Sequence, residues 1–288
     1  MTQTWQTLVD PQTLAPALGR ADLRLLDARF APATVDDPTL GRRAWAQSHL
    51  SGARYADLNG ELSDLSRTGV GRHPLPNEAD FAAALGRWGV TPQTQVVVYD
   101  AADGSMAASR LWWLLRLMGH RAVAVLDGGI AAWRVAGLPE TSDPIGPPAA
   151  PSYPAGFDAD QIVDAAQVQA RLAQPPGWLI DVRAPERFAG QAEPIDPVAG
   201  HVPGAVNRPL AKSLSEGRFL SAQALRADLL PYLQGRDPRE VVLMCGSGVT
   251  ACHTLLAMEH AGLGGARVYA GSWSGWISDP ARPVATGS

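Results

Sequence analysis

The chain has 288 residues, 46% of them hydrophobic, and a formal net charge of −4, which leaves room for two buried cores and excludes the basic footprint of nucleic-acid binding. Its two cysteines, Cys245 and Cys252, lie too close in sequence to staple a fold and form no Cys-x-x-Cys pair for zinc, so a disulfide framework is excluded and no metal is expected. No basic region followed by an apolar run opens the chain, and no stretch reaches the ~18 apolar residues of a membrane span; the expectation is a cytoplasmic protein without a membrane partner.

In chain order, the first motif is Leu25-Leu26-Asp27-Ala28-Arg29-Phe30. His49-Leu50-Ser51-Gly52-Ala53 reads as a turn before a strand. A polar stretch follows with Gly71-Arg72-His73-Pro74. The β-branched run Val96-Val97-Val98-Tyr99 is a buried strand ending at Asp100. A helix-period segment from Met106 to Met118 comes next, closed by Gly119. The first half ends beyond Asp127-Gly128-Gly129-Ile130-Ala131-Ala132-Trp133. Six prolines between Pro139 and Phe157 (Pro139, Pro144, Pro147, Pro148, Pro151 and Pro154) fix φ and remove donors, so this stretch reads as a semi-rigid surface linker.

The second half repeats the first. Leu179-Ile180-Asp181-Val182-Arg183 echoes residues 25–30, and His201-Val202-Pro203-Gly204-Ala205 echoes the His49 turn. Val241-Val242-Leu243-Met244-Cys245 echoes the run into Asp100, and Ala270-Gly271-Ser272-Trp273-Ser274-Gly275-Trp276 echoes residues 127–133. Four matches in one order mark a duplicated unit. The expected organisation is a domain over 1–138, a linker over 139–157 and a domain over 158–288. Alternating strands and helices predict, in each domain, an α/β fold with a parallel sheet and helices on both faces. Ligands bind such sheets at the carboxyl ends of the strands, where Asp100 and Cys245 stand.

The loop Cys245-Gly246-Ser247-Gly248-Val249-Thr250 joins a buried strand to a helix predicted over Val249 to Ala261 and closed by Gly262. Two glycines let the backbone curl, and a curled loop entering a helix turns N–H groups inward as an anion nest. A thiolate or a persulfide anion is the charge such a nest holds. Cys252 lies among apolar neighbours in the following helix and reads as core. A cysteine phosphatase would need an arginine six residues after the cysteine, to clamp phosphate. Ala251 stands there. Sulfur transfer needs no arginine in the loop, because the thiolate attacks the sulfane sulfur itself.

The two halves and this loop resemble the two-domain rhodanese superfamily, and Cys245-Gly246-Ser247-Gly248-Val249-Thr250 is similar to the loop of its 3-mercaptopyruvate sulfurtransferases. The resemblance implies two tandem rhodanese-like domains, a Cys245 persulfide, and no cofactor. It implies a silent first domain, with Asp100 in place of the cysteine. Thiosulfate-specific members carry basic residues just after the cysteine, where this chain has Gly246 and Ser247, so the implied donor is 3-mercaptopyruvate; thiosulfate remains an alternative, as does a persulfide carrier that does not turn over. The implied acceptor is cyanide or a thiol such as thioredoxin or a small dithiol. Arg187 matches the family arginine that binds the donor's anionic group, with Gly246, Gly248, Val249 and Thr250 contributing the loop. Ser247 and His73 match a serine–histidine relay, and His73 would bring the first domain into the site. The family's acid for that histidine falls at Asn59, with Asp57 two residues earlier. A further family arginine has no counterpart in Glu193-Pro194-Ile195-Asp196. Arg29 and Arg183, present in both halves, are expected in structural ion pairs, and His49 and His201 in turns.

Overall fold

The computed structural model describes residues 4–30, 37–146 and 151–287. They form two compact units. The first contains Met1–Asp64 and Pro76–Asp158, the second Leu65–Leu75 and Ala159–Ser288.

In the first unit β1 (Leu8–Val9), β2 (Leu23–Asp27), β3 (Arg54–Tyr55), β4 (Gln95–Tyr99) and β5 (Val123–Leu126) make a parallel sheet in the order β1-β5-β4-β2-β3. Every residue of β4 is buried, as a central strand covered on both faces requires. The helices are α1 (Pro11–Leu14), α2 (Leu40–Gln47), α3 (Glu78–Arg87), α4 (Ala107–Leu117) and α5 (Gly129–Val135). Asn77 caps α3 by accepting the Ala79 N–H, a local stop signal that sets where the helix begins. Trp133, Leu14, Tyr99 and Leu126 share one apolar core.

The second unit repeats the plan. Its sheet contains β6 (Ile162–Val163), β7 (Leu179–Asp181), β8 (Val206–Asn207), β11 (Val242–Met244) and β12 (Arg267–Tyr269), all parallel, in the order β6-β12-β11-β7-β8. A short antiparallel pair, β9 (Leu214–Ser215) and β10 (Arg218–Phe219), stands outside the sheet. The helices are α6 (Ala165–Gln169), α7 (Pro185–Phe188), α8 (Ala222–Leu233), α9 (Ala251–His260) and α10 (Ser272–Trp276). Trp178, Trp273 and Trp276 are buried with Leu179 and Met244 in its core; burying side chains of this size contributes roughly 1.5–3 kcal/mol each.

The repeat and the compact units part company in two places. The proline-rich stretch goes with the first unit. Thr141 and His49 exchange backbone hydrogen bonds of 2.8 Å each way, Arg54 donates to the Gly146 carbonyl at 2.6 Å, and the Tyr153 hydroxyl lies 2.9 Å from His120 Nδ1. Pro147 and Pro148 lie outside the described residues. The second place is the strap 65–75, which belongs to the first half of the sequence and to the second unit. The Arg72 N–H donates to Ser274 Oγ at 3.0 Å, and Ser278 Oγ donates to the Gly69 carbonyl at 2.8 Å. Gly71 has φ +111°, and a Cβ there would sit 2.7 Å from the Gly271 carbonyl oxygen. The close approach and the left-handed backbone both need glycine.

Among the described residues no helix is long and apolar enough to cross a membrane.

Candidate active site

β11 ends at Met244, and the next six residues curl before α9 starts at Ala251. The predicted helix start at Val249 thus gives way to a longer loop. Cys245 is only 1% exposed. The Gly248 N–H donates to Cys245 Sγ at 3.1 Å, which folds the loop around the sulfur. Gly248 has φ +77°, and a Cβ there would collide with the Ala270 carbonyl. Behind the loop, the Trp273 and Ser274 N–H groups donate to the Cys245 and Gly246 carbonyls, both at 2.9 Å. Cys252 is fully buried and donates to the Gly248 carbonyl at 3.4 Å.

Ser272 is the closest neighbour that the sequence reading did not assign. Its Oγ accepts the Cys245 N–H at 3.0 Å, donates to the Tyr269 carbonyl at 2.9 Å and lies 3.9 Å from Cys245 Sγ. It is a buried serine with φ 50°. In the first half the equivalent position is Gly129, at φ 56°. There the Ile130 N–H donates to the Asp100 carbonyl at 3.0 Å, as the Trp273 N–H does to the Cys245 carbonyl. Aligning the halves shows a serine where the backbone prefers glycine, and that was the available signal.

His73 Nδ1 lies 2.8 Å from Ser247 Oγ. Both residues belong to the second unit, since the strap carries His73 there. Asp57 and Asn59 belong to the first unit. Asp57 Oδ1 accepts the Asn59 N–H at 3.0 Å and the Gly60 N–H at 3.4 Å, closing its own turn.

Arg187, on α7, donates from Nε to both Glu193 oxygens at 3.1 Å, and from Nη2 to Glu193 Oε1 at 2.6 Å and Asp196 Oδ2 at 3.2 Å. Burial pushes the Glu193 carboxyl up, but the Arg187 guanidinium and the Asp196 and Ile195 N–H groups outweigh it and hold it below its ordinary range. Arg72 Nη1 pairs with Asp196 Oδ1. Arg72, beside His73 in the strap, was a second residue left unassigned in the sequence. A Cβ placed on Gly246 would lie 3.2 Å from Arg72 Nη2 and 3.6 Å from Arg187 Nη1 and Nη2. Two guanidinium groups therefore converge over the residue next to the cysteine. Val249 is buried in the loop wall, and Thr250 is the N-cap residue of α9 without a side-chain cap.

The first half uses the same loop differently. Asp100 Oδ1 accepts the Gly104 and Ala102 N–H groups at 3.0 and 3.2 Å, and Oδ2 accepts the Ala108 N–H at 3.4 Å. A carboxylate fills its own nest. Burial, only partly offset by the Gly104 N–H, pushes the carboxyl up to about 6.

The duplicated residues serve the fold. Arg29 forks onto Asp27 with Nη2–Oδ2 2.6 Å, and Arg183 onto Asp181 at 2.7 Å. Each also donates to a backbone carbonyl, of Ser48 and Gly200. His49 Nδ1 bonds the Trp45 carbonyl and His201 Nδ1 the Phe188 carbonyl, both at 2.8 Å. Trp273 is fully buried, donates to the Val198 carbonyl and carries the Arg183 guanidinium on its ring.

Comparison with known proteins agrees with this picture. The rhodanese-like domain family matches twice, over residues 10–136 and 164–279. The chain is 48% identical over 287 residues to a Pseudomonas aeruginosa protein named "Probable 3-mercaptopyruvate sulfurtransferase", covering 97% of this chain and 98% of that one. It is 35% identical over 283 residues to thiosulfate sulfurtransferase of Rattus norvegicus, covering 95% and 92%. The crystal structure of SseA from Escherichia coli, one of the 3-mercaptopyruvate sulfotransferases, matches with a TM-score of 0.80 at 28% identity, covering 94% of this chain and 100% of that one. Two family matches in tandem, on twin parallel sheets and a cysteine loop, place this chain in the rhodanese family of sulfurtransferases.

Proposed function

We propose that the protein moves sulfane sulfur from 3-mercaptopyruvate to a thiol acceptor through a persulfide on Cys245. The observation that carries this reading is the Gly248 N–H on Cys245 Sγ, in a loop whose next residue has no side chain and faces two arginines. The Cys245 thiolate attacks the donor's sulfur. The carbon–sulfur bond breaks, its electron pair stays on carbon as the enolate of pyruvate, and Cys245 becomes the persulfide. The enolate then takes a proton, for which the Ser247–His73 pair is within reach of the loop. Arg187 binds the donor's carboxylate. In the second half-reaction an acceptor thiolate attacks the outer sulfur and Cys245 leaves as thiolate, a ping-pong cycle. Thioredoxin or a small dithiol supplies that thiol. Cyanide serves in the test tube.

The first half is read as catalytically silent, since Asp100 offers no nucleophilic sulfur and its carboxylate already occupies the nest. The donor named for the rat relative, thiosulfate, is the second reading.

Intact mass after incubation with each donor tests the proposal. The expected result is a gain of one sulfur with 3-mercaptopyruvate, lost on adding dithiol and absent in Cys245→Ser. Sulfur transfer retained by Cys245→Ser would sink it. A kcat/KM larger for thiosulfate than for 3-mercaptopyruvate would replace the donor.

A further inference from the structure

We propose that Arg72 is the second carboxylate-binding arm of this site, and that Gly246 is the gap that lets it reach; the proposal rests on the reading of Cys245 as the sulfur acceptor. The segment after Arg187 offers no second arginine. It offers Glu193 and Asp196 instead. Asp196 bridges two guanidinium groups, Arg187 through Oδ2 and Arg72 through Oδ1. An acid in this stretch thus recruits an arginine from a strap distant in sequence.

Each arginine keeps donors in reserve. Arg187 uses Nε and Nη2 on Glu193 and Asp196, and Arg72 uses Nη1 on Asp196. Among the described residues, Arg187 Nη1 and Arg72 Nη2 have no hydrogen-bond partner, and both point at the space over Gly246. Two N–H-bearing edges from two guanidinium groups match the two oxygens of one carboxylate. A side chain at position 246 would enter the space they face.

Charge bears on the choice of anion. Arg72, Arg183 and Arg187 are matched by Asp181, Glu193 and Asp196. A cluster already balanced favours a monoanion, such as an α-keto acid, over a dianion such as thiosulfate.

The test compares alkylation of Cys245 by iodoacetate and by iodoacetamide. In both, the sulfur displaces iodide from the same kind of carbon; only iodoacetate presents a carboxylate. The ratio of the two rate constants therefore reads the anion site whatever the donor. Arg72→Gln is expected to lower the ratio about tenfold, the loss of a charge-assisted hydrogen bond, with Arg72→Lys recovering part of it. With 3-mercaptopyruvate, the same variant is expected to raise KM about tenfold with little change in kcat, and to change kcat/KM for thiosulfate less. An unchanged alkylation ratio in Arg72→Gln overturns the proposal. A ratio that falls as expected, in an enzyme that does not turn over 3-mercaptopyruvate, upholds the carboxylate site and overturns only the donor.

Discussion

Ser272 sits at φ 50° with no solvent exposure, and its hydroxyl meets both the N–H and the sulfur side of Cys245. A left-handed serine costs about 1 kcal/mol or more relative to glycine. The first half avoids that cost with Gly129, where no sulfur needs holding. Ser272→Gly removes that cost but leaves the Cys245 N–H and the Tyr269 carbonyl without their partner, so Tm should fall by only a few degrees while kcat for sulfur transfer falls roughly fivefold to tenfold. Thermal melting and steady-state kinetics on the same preparation would show it; an unchanged kcat in the folded variant would count against a role at the sulfur. The Cys245 loop was legible because two glycines after a buried strand pointed to an anion nest, whereas Ser247, His73 and Arg187 were named only through the family resemblance. Ser272 showed in the sequence only as a serine opposite Gly129 of the repeat, and Arg72 not at all, since an arginine is not unusual in a loop and only the fold brings it to Gly246.

At the scale of elements, the helices were readable to within a few residues. α4 spans Ala107–Leu117 where the periodicity predicts 106–118, and α9 loses Val249 and Thr250 to the loop. The strap 65–75 contains no regular element and showed no pattern to read. Its placement depends on contacts with α10, made across long sequence separations. His73 and Ser247 are 174 residues apart. A Cβ on Gly71 would lie 2.7 Å from the Gly271 carbonyl oxygen and 3.3 Å from Ser274 Oγ, at α10's N-terminal turn. Gly71→Ala should lift the strap and take Arg72 and His73 with it. The expected result is a loss of at least about tenfold in kcat/KM, from two groups displaced together. Circular dichroism should stay close to that of the parent. A variant with full activity would show that the strap's position does not matter.

At the scale of the molecule, the duplication was legible from four ordered matches, and both sheets share one strand order. What the repeat could not show is where each unit takes its residues from. The first half also has a pH signature. Burial raises the Asp100 carboxyl to about 6 from its ordinary 3.8. The folded state then binds a proton more tightly than the unfolded chain. Stability from this group is greatest below pH ~4, falls as pH rises through the interval to about 6, and is lost above it. At neutral pH the charged, buried Asp100 destabilises by on the order of 2–3 kcal/mol relative to its protonated form. Asp100→Asn should flatten the dependence of unfolding free energy on pH between about 4 and 6. Denaturant titrations across that range would show it, and an unchanged slope would assign the dependence to other carboxyls.

The strap also has a consequence in time. A ribosome releases residues 65–75 long before residues 159–288, and domains fold as they emerge. For that interval the first unit stands complete around an excursion with no surface to receive it. Arg72 and His73 meet Asp196 and Ser247 only when the second unit follows, and the Cys245 loop gains its Ser272 and Trp273 contacts only after α10 has emerged. On the proposed mechanism, sulfur chemistry at Cys245 waits until α10 has followed the strap out of the ribosome.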